Sequence, residues 1–197
     1  MITFEIINKS HPDRKIIEYM IKGVYERQYN ASVSTFADTL VALRGIDGTV
    51  LAAAGVRIGK DFFSEAYLDK PIEMLLSQYW SNPVKRNEIA EVTTLASVHP
   101  KAASRLFVEI IHFMRSGGAS WAFFTVTERL RMMLKRMGVT ALDLGNADQT
   151  KIAESGANWG TYYATNPSII AIHDTMAFIP GAEPKTRTQG TAEQSLA

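Results

Sequence analysis

The residues best suited to chemistry are cations at the starts of two predicted helices. Lys101 and Arg105 open one helix, and Arg129 and Arg131 open the next. The first turn of a helix combines unpaired backbone N–H groups with the positive end of the helix dipole, so cations there favour a phosphate or another anion. Arg129 and Arg131 fit a solvated helix face equally well, and that alternative stays open.

An aromatic group forms a second candidate site. Trp159, Tyr162 and Tyr163 lie close together in the sequence. They predict either the wall of a substrate pocket or ordinary packing, because large rings serve both purposes. A metal site is not predicted. Glu109 and His112 have the Glu-x-x-His spacing of di-iron bundles, but the second copy that such a centre needs does not occur.

Composition excludes several classes of protein. The chain has 197 residues, with 21 Lys and Arg against 20 Asp and Glu, and this formal charge of +1 argues against a nucleic-acid partner. It has no cysteine, which excludes disulfides and a cysteine nucleophile. Gly-x-Ser-x-Gly, Walker and dinucleotide-binding motifs do not occur. Without a signal-peptide pattern or a run of ~18 apolar residues, we predict a cytoplasmic protein with no integral membrane segment.

The elements that position these residues follow from the apolar pattern, which alternates in strands and recurs at helical spacing between them. The glycine-bounded turn at 45–48 predicts a hairpin. The predicted strands are 1–8, 39–44, 49–58, 88–98, 121–126, 139–144 and 169–172, and the predicted helices are 10–27, 71–80, 101–115 and 127–137. This order describes one mixed α/β domain over 1–179, followed by a disordered, polar tail over 180–197.

Three segments carry a resemblance to a known family: 67–73 (YLDKPIE), 91–97 (EVTTLAS) and 159–163 (WGTYY). Together with the order of elements, they resemble the GNAT acyltransferase superfamily, and within it the thermostable hemolysin family. The resemblance runs from about residue 14 to residue 174. It implies a GNAT-like fold, in which a central twisted mixed sheet carries helices on both faces.

The resemblance also implies a thioester-binding site. In the superfamily a V-shaped gap between two central strands admits the pantetheine arm of the donor. Here the arm is expected along the strand edge formed by Leu95, Ser97 and Val98. The implied co-substrate is an acyl-CoA or an acyl-phosphopantetheine thioester, and no metal is implied.

The donor phosphates are expected at the helix start that follows this strand. The residues expected to bind them are Lys101, Ser104, Arg105 and, from the next helix, Arg129. Residues 102–104 are Ala-Ala-Ser, whereas tight coenzyme A binders of the superfamily have glycines that let the backbone approach phosphate.

Segment 91–97 is also similar to a strand of the acyl-homoserine-lactone synthases and the N-acyl amino acid synthases. Glu91 matches their glutamate, whereas their arginine is Thr94 here. This match makes Glu91 the catalytic candidate, as a general base for an amine or as a binder of its ammonium form; a structural hydrogen-bonding role is the alternative. Glu88 joins the substrate pocket only through a bulge, because residues three apart on a strand face opposite sides.

The usual proton donor of the superfamily is missing. It is a tyrosine four residues before the glycine that ends the second helix, and that position is Leu134 here. A tyrosine of the 159–163 segment is the replacement that the sequence offers. The substrate pocket is therefore expected to include Trp159, Tyr162 and Tyr163.

Functions from different classes follow from these patterns. The first is an acyltransferase that moves an acyl group from a coenzyme A or carrier-protein thioester directly to a small-molecule amine, with an acyl carrier protein as a partner for the basic helices. The second is a membrane-active protein of haemolysin type, as the family name suggests. A non-catalytic thioester-binding module is the third, and a homodimer stays open.

Overall fold

The computed structural model describes residues 2–155 and 158–176. In chain order its strands and α-helices are β1 (Thr3–Ile7), α1 (Arg14–Tyr29), β2 (Thr39–Arg44), β3 (Val50–Ile58), α2 (Ile72–Tyr79), β4 (Ile89–Ser97), α3 (Pro100–Ser116), β5 (Trp121–Val126), α4 (Glu128–Arg136), β6 (Leu142–Asn146) and β7 (Ser168–His173). Short 3₁₀ turns lie at Ser64–Tyr67, Arg86–Glu88, Gln149–Ser155, Tyr162–Thr165 and Asp174–Met176.

The strands form one mixed sheet in the order β1-β2-β3-β4-β5-β7-β6. Neighbouring strands are antiparallel except for β4 and β5, which run parallel. Helices cover both faces of the sheet. Successive side chains of β3 point to opposite faces, so Ala52 and Ala54 pack with α3, whereas Ala53 packs with α1. The predicted mixed α/β sheet with helices on both faces is confirmed.

Helices α3 and α4 begin directly after β4 and β5 because each has a capping residue at that point. The His99 imidazole accepts a hydrogen bond from the Lys101 backbone N–H at 3.2 Å, and Pro100 follows at the first helical position, where no N–H is needed. The Thr127 hydroxyl accepts from the Leu130 N–H at the start of α4. Both helix starts therefore lie at the same edge of the sheet.

Some predicted boundaries differ from the structure. Helix α1 begins at Arg14 with Asp13 at the N-cap, because the hydroxyl of Ser10 is turned back to Asn8. Strand β6 begins at Leu142 rather than at 139. The predicted tail over 180–197 and the domain boundary at 179 lie outside the described residues. Within residues 2–155 and 158–176, none of the helices is long and apolar enough to cross a membrane.

Candidate active site

The two parallel strands at the centre of the sheet separate after a short common stretch. They pair only where Ile89–Glu91 lies beside Trp121–Phe123. Beyond that point β4 continues along β3, and β5 continues along β7. The sheet consequently opens into a V-shaped gap, and the starts of α3 and α4 lie at its wide end.

A β-bulge lies in β4 at the edge of this gap. Ala53 is opposite Ala96 and Gly55 is opposite Thr93, so two residues of β4, Thr94 and Leu95, face one residue of β3. Thr94 has a φ of 47°, in the left-handed region that threonine rarely adopts. A bulge leaves its extra residue without a partner in the ladder, and such bulges are common beside active sites.

The gap opens into one cavity of about 600 Å³. Its lining comes from both faces of the sheet, because α1 lies on one face while α3 and α4 lie on the other. The residues of the gap that line it are Val92, Thr93, Thr94, Leu95 and Ser97 of β4 and Phe124 and Thr125 of β5. The cavity therefore passes through the sheet. Two substrates could enter such a cavity from opposite sides and meet inside it.

On the α1 face the cavity has an aromatic wall, which we call the aromatic chamber. It consists of Tyr25, Tyr29, Phe63, Tyr67, Trp159, Tyr162 and Tyr163. The rings contact one another in edge-to-face and tilted arrangements, with centroid distances such as 5.2 Å between Tyr29 and Tyr162 and 5.3 Å between Tyr162 and Tyr163. The Tyr67 and Tyr163 hydroxyls share a short hydrogen bond.

Backbone contacts hold the 158–163 segment against the end of α1. The Thr161 N–H donates to the Tyr29 carbonyl at 2.7 Å, and the Ser32 N–H donates to the Asn158 carbonyl at 2.7 Å. Gly160 has a φ of 51°, and a Cβ there would lie only 2.5 Å from the Asn30 carbonyl oxygen and closer still to that of Tyr29. Only glycine allows this approach, so the chamber depends on it.

The chamber phenols are held in their protonated form. Burial raises the pKa of Tyr25, Tyr162 and Tyr163 above the usual 10.0, and burial together with the Tyr163 hydrogen bond raises the pKa of Tyr67. Burial also raises the pKa of Tyr29, although Thr127 and Arg129 oppose the rise. Near neutral pH the chamber therefore presents phenol O–H groups that can donate hydrogen bonds.

Glu91 lies behind the chamber floor and is fully buried. Its carboxylate accepts hydrogen bonds from the backbone N–H groups of Phe63 (2.8 Å) and Ser64 (2.5 Å) and from the Arg57 guanidinium (3.0 Å). Phe63, Ser64 and Arg57 line the cavity, whereas Glu91 is not among the lining residues. Glu91 thus fixes the 3₁₀ turn that carries Phe63 and Tyr67, and its role as a base stays a prediction.

At the start of α3 and along α4 the cavity has a different lining, which we call the basic wall. Its cations are Lys101, Arg129 and Arg136, all solvent-exposed, and Ser104 lies beside them. The backbone amides at the start of α3 are already used: Lys101 N–H donates to the His99 ring, and those of Ala102 and Ala103 donate to the His99 carbonyl. The expectation of free amides for phosphate is therefore corrected, because His99 caps them.

The structure brings most of the predicted site residues to this one cavity. Those that line it are Leu95, Ser97, Val98, Lys101, Ser104, Arg129, Trp159, Tyr162 and Tyr163.

Besides Glu91, which lies behind the chamber, two predicted site residues do not line the cavity, and the cation Arg131 has another partner. Glu88 ends a 3₁₀ turn before β4, where its carboxylate accepts from the Lys85 N–H, and the bulge at Thr94 is too far along the strand to turn it inward. Arg105 does not line the cavity. It lies one helical turn from Glu109, and its Nε is 3.9 Å from the Glu109 Oε1 atom. Arg131 pairs with Asp143 at 2.9 Å.

Several lining residues were not predicted. Tyr25 and Tyr29 are four residues apart on α1, the spacing of one helix face, and this was the only signal for them. Arg57 faces the cavity because it is the cross-strand partner of Glu91, a register that appears only when β3 and β4 pair. Leu134, at the usual tyrosine position, is buried in the core, and the apolar lining in this part of the chain comes from Leu130 and Met133 of α4 and from Met137 directly after it.

The splayed parallel strands, the bulge and the helix start after β4 define a GNAT-like acyltransferase fold. Solved structures with this fold include the N-acyl amino acid synthase FeeM from uncultured soil microbes (TM-score 0.62, 13% identity, 90% of this chain and 97% of that chain). The acyl-homoserine-lactone synthase LasI has a TM-score of 0.60 at 9% identity, over 88% and 90% of the two chains. An N-acetyltransferase from Staphylococcus aureus Mu50 has a TM-score of 0.54 at 11% sequence identity, and the match covers 89% of this chain and 99% of that chain. At these identities the similarity establishes the fold.

The chain belongs to the thermostable hemolysin family, whose sequence profile matches residues 7–178. The family predicted from the three sequence segments is thus confirmed. No curated protein matches the chain by sequence.

Proposed function

We propose that this protein is an N-acyltransferase that moves an acyl group from a pantetheine thioester to a small-molecule amine. The observation that carries the proposal is the cavity that passes through the sheet at the β4–β5 gap, with the bulge at its edge. The fold is shared with the N-acyl amino acid synthase FeeM and the acyl-homoserine-lactone synthase LasI, which adds support.

The donor is assigned to the gap itself. The free edge of β4 from Thr94 to Ser97 offers backbone groups to the amides of a pantetheine arm, in the manner of an added strand. The bulge at Thr94 and Leu95 supplies a backbone N–H outside the β3 ladder. Such an N–H, aimed at the thioester carbonyl oxygen, stabilises the negative charge that develops there during attack.

The basic wall is assigned to the phosphate groups of the donor. Lys101, Arg129 and Arg136 supply charge, and Ser104 supplies a hydroxyl, whereas the capped amides of α3 contribute little. Exposed cations of this kind also suit the acidic surface of an acyl carrier protein. Both donors carry the same phosphopantetheine group, so the same residues serve acyl-CoA and acyl carrier protein.

The transfer does not pass through a thiol-bound acyl-enzyme, because the chain has no cysteine to hold the acyl group, and we assign direct transfer to the amine. The neutral amine attacks the thioester carbonyl carbon, the C–S bond breaks, and the products are an amide and a thiol. One proton leaves the amine and one reaches the thiolate sulfur. We assign the proton donor to the hydrogen-bonded pair Tyr67 and Tyr163, and Glu91 to positioning of the turn beneath them, with a base role as the alternative.

The direct test is thiol release. The purified full chain is incubated with acyl-CoA and acyl-carrier-protein thioesters of several chain lengths and a panel of amines, and free thiol is measured with a chromogenic disulfide. Because the protein has no cysteine, every thiol detected comes from the donor. We expect amine-dependent thiol release and an amide product by mass spectrometry. Donor binding without release would indicate the non-catalytic module, and neither binding nor release with any donor would overturn the proposal.

A matched pair of variants tests the basic wall. Arg129→Ala removes a lining cation, and Arg131→Ala removes a cation of the same helix that is paired with Asp143 away from the cavity. We expect the first to raise the KM for the donor about three- to tenfold, with a larger effect at low salt, and the second to leave it unchanged. Equal effects of the two variants would contradict the assignment.

A further inference from the structure

The charges that line the cavity are all of one sign. Among the described residues of its wall there is no aspartate or glutamate, whereas Arg57, Lys101, Arg129 and Arg136 all contribute to it. A cationic ligand finds no partner of opposite charge in such a wall, and its desolvation would go uncompensated. The wall matches a ligand that carries negative charge.

The four cations divide into two groups. Lys101, Arg129 and Arg136 belong to α3 and α4 at the basic wall, where the donor phosphates are assigned. Arg57 belongs to β3, and its Nη1 donates to Glu91 beneath the aromatic chamber. A guanidinium has five N–H groups, so Arg57 retains donors for a further partner after this bond. Its side chain is 20% exposed, on the side of the cavity.

Unpaired polar atoms collect in the same part of the cavity. Three buried side-chain atoms of its wall have no hydrogen-bond partner within the described part of the chain: Thr93 Oγ1, Thr94 Oγ1 and Trp159 Nε1. The indole nitrogen is a donor only, and the two hydroxyls can donate. Buried polar groups are nearly always paired, so this arrangement indicates a ligand with acceptor oxygens.

Apart from these donors and the tyrosine hydroxyls, the surface of the aromatic chamber is apolar ring. A plain alkyl chain would fill it but would leave the indole N–H and the hydroxyls buried and unpaired, which disfavours binding. An amine with an apolar or aromatic body and an anionic group satisfies both kinds of surface.

We infer that the acceptor is an amine that also carries a carboxylate, of the kind represented by a free apolar or aromatic amino acid. The carboxylate lies on Arg57, with hydrogen bonds from the buried donors of the chamber, and the side chain packs on the rings. The lining carries cations and no carboxylate, and Glu91 beneath it is already paired with Arg57, so the neutral form of the amine is favoured: burial and nearby positive charge both lower an amine pKa. The attacking nitrogen is then neutral without a strong base. This inference rests on the proposed acyltransferase function.

The test compares each acceptor with its decarboxylated counterpart in the thiol-release assay. The pairs are tyrosine with tyramine, phenylalanine with phenethylamine and leucine with isoamylamine, and spermidine serves as a polycation. We expect kcat/KM to be at least about 30-fold higher for the carboxylated member of a pair, since a charge-assisted hydrogen-bond pair is lost with the carboxylate. Equal or better turnover of the decarboxylated amines or of spermidine would overturn the inference and leave the proposed function intact. If no amine releases thiol, the proposed function fails, and the inference fails with it.

Variants locate the carboxylate site. Arg57→Gln is expected to abolish the preference within each pair, and Arg57→Lys to restore part of it. Because Arg57→Gln leaves Glu91 without its counterion, Thr93→Val and Thr94→Val provide tests that remove only an unpaired hydroxyl and keep the shape of the side chain. Each should raise the KM for the carboxylated acceptor about three- to tenfold, without a change in KM for the decarboxylated one and without loss of thermal stability. Equal changes for both members of a pair would contradict the assignment.

Discussion

The aromatic chamber and the basic wall line one cavity, but they are held in place by different forces. The chamber rings are half-buried or buried, contact one another, and are fixed by backbone hydrogen bonds to α1 and by the buried carboxylate of Glu91. The cations of the basic wall are exposed side chains on the first turns and outer surfaces of two helices. A rigid, desolvated wall discriminates between ligands, whereas a mobile, charged one attracts them with little selectivity. We therefore assign acceptor specificity to the chamber and donor capture to the basic wall.

The largest expected effect comes from removing the charge beneath the chamber. Glu91→Gln deletes the counterion of Arg57 and one acceptor oxygen for the turn at Phe63 and Ser64. We expect the free energy of unfolding in urea to fall by about 3 kcal/mol, because breaking a buried ion pair leaves a charge uncompensated. Glu109→Gln, which alters a carboxylate 3.9 Å from an exposed arginine, is the control and should change stability by less than about 0.5 kcal/mol.

The same variant separates the two roles of Glu91. A loss of turnover with unchanged stability would contradict the positioning role and favour a general base, whose removal also abolishes the acidic limb of the pH–rate profile.

The next prediction compares the cost of an alanine substitution at two glycines with positive φ, one on each side of the cavity. Gly160 has a φ of 51° and lies against the carbonyls of Tyr29 and Asn30, whereas Gly138, at the end of α4, has a φ of 76° and nothing within 4 Å of an added Cβ. Gly138→Ala should cost about 1 kcal/mol from the backbone alone. Gly160→Ala should cost about 3 kcal/mol and change the near-ultraviolet circular dichroism, because the aromatic segment must move. Equal costs would show that the close approach is not required.

The smallest effect appears only at alkaline pH. The pKa of each chamber tyrosine is raised in the folded protein, so above pH 10 the unfolded chain loses its phenol protons first and binds fewer than the native state. These groups therefore do not affect stability well below pH 10, and stability falls above pH 10. For each tyrosine involved, the equilibrium constant for folding decreases about tenfold per pH unit.

Urea unfolding between pH 8 and pH 11, with absorbance at 295 nm to follow ionisation, measures this dependence. Tyr163→Phe should reduce the slope. Ionisation of the chamber phenols in the folded protein at or below pH 10 would contradict the burial argument.

Much of the scaffold could be predicted from the sequence because its signals are local. Strand β5 matches the predicted 121–126, and α3 and α4 begin where His99-Pro100 and Thr127 indicate, since caps and apolar periodicity act within a few residues. The start of α1 was misplaced because Ser10 and Asp13 are both acceptable caps, and the contact with Asn8 decided between them.

The site was predicted less completely, and the reason is long-range pairing. The motif identified Glu91 but could not reveal that the amides of Phe63 and Ser64, 28 and 27 residues earlier, converge on its carboxylate. Arg105 and Glu88 were assigned to the site from their spacing, whereas their orientation is set by a helix face and a 3₁₀ turn.

The sequence by itself determined the family, the order of the elements, the starts of α3 and α4 and the exclusion of a thiol-bound acyl intermediate in a chain without cysteine. Each of these depends on residue type and near spacing. Only the tertiary structure decided that β4 and β5 separate after three residues and that five tyrosines from three distant segments form one wall. These features arise from register and packing between segments far apart in the chain, and no local pattern encodes them.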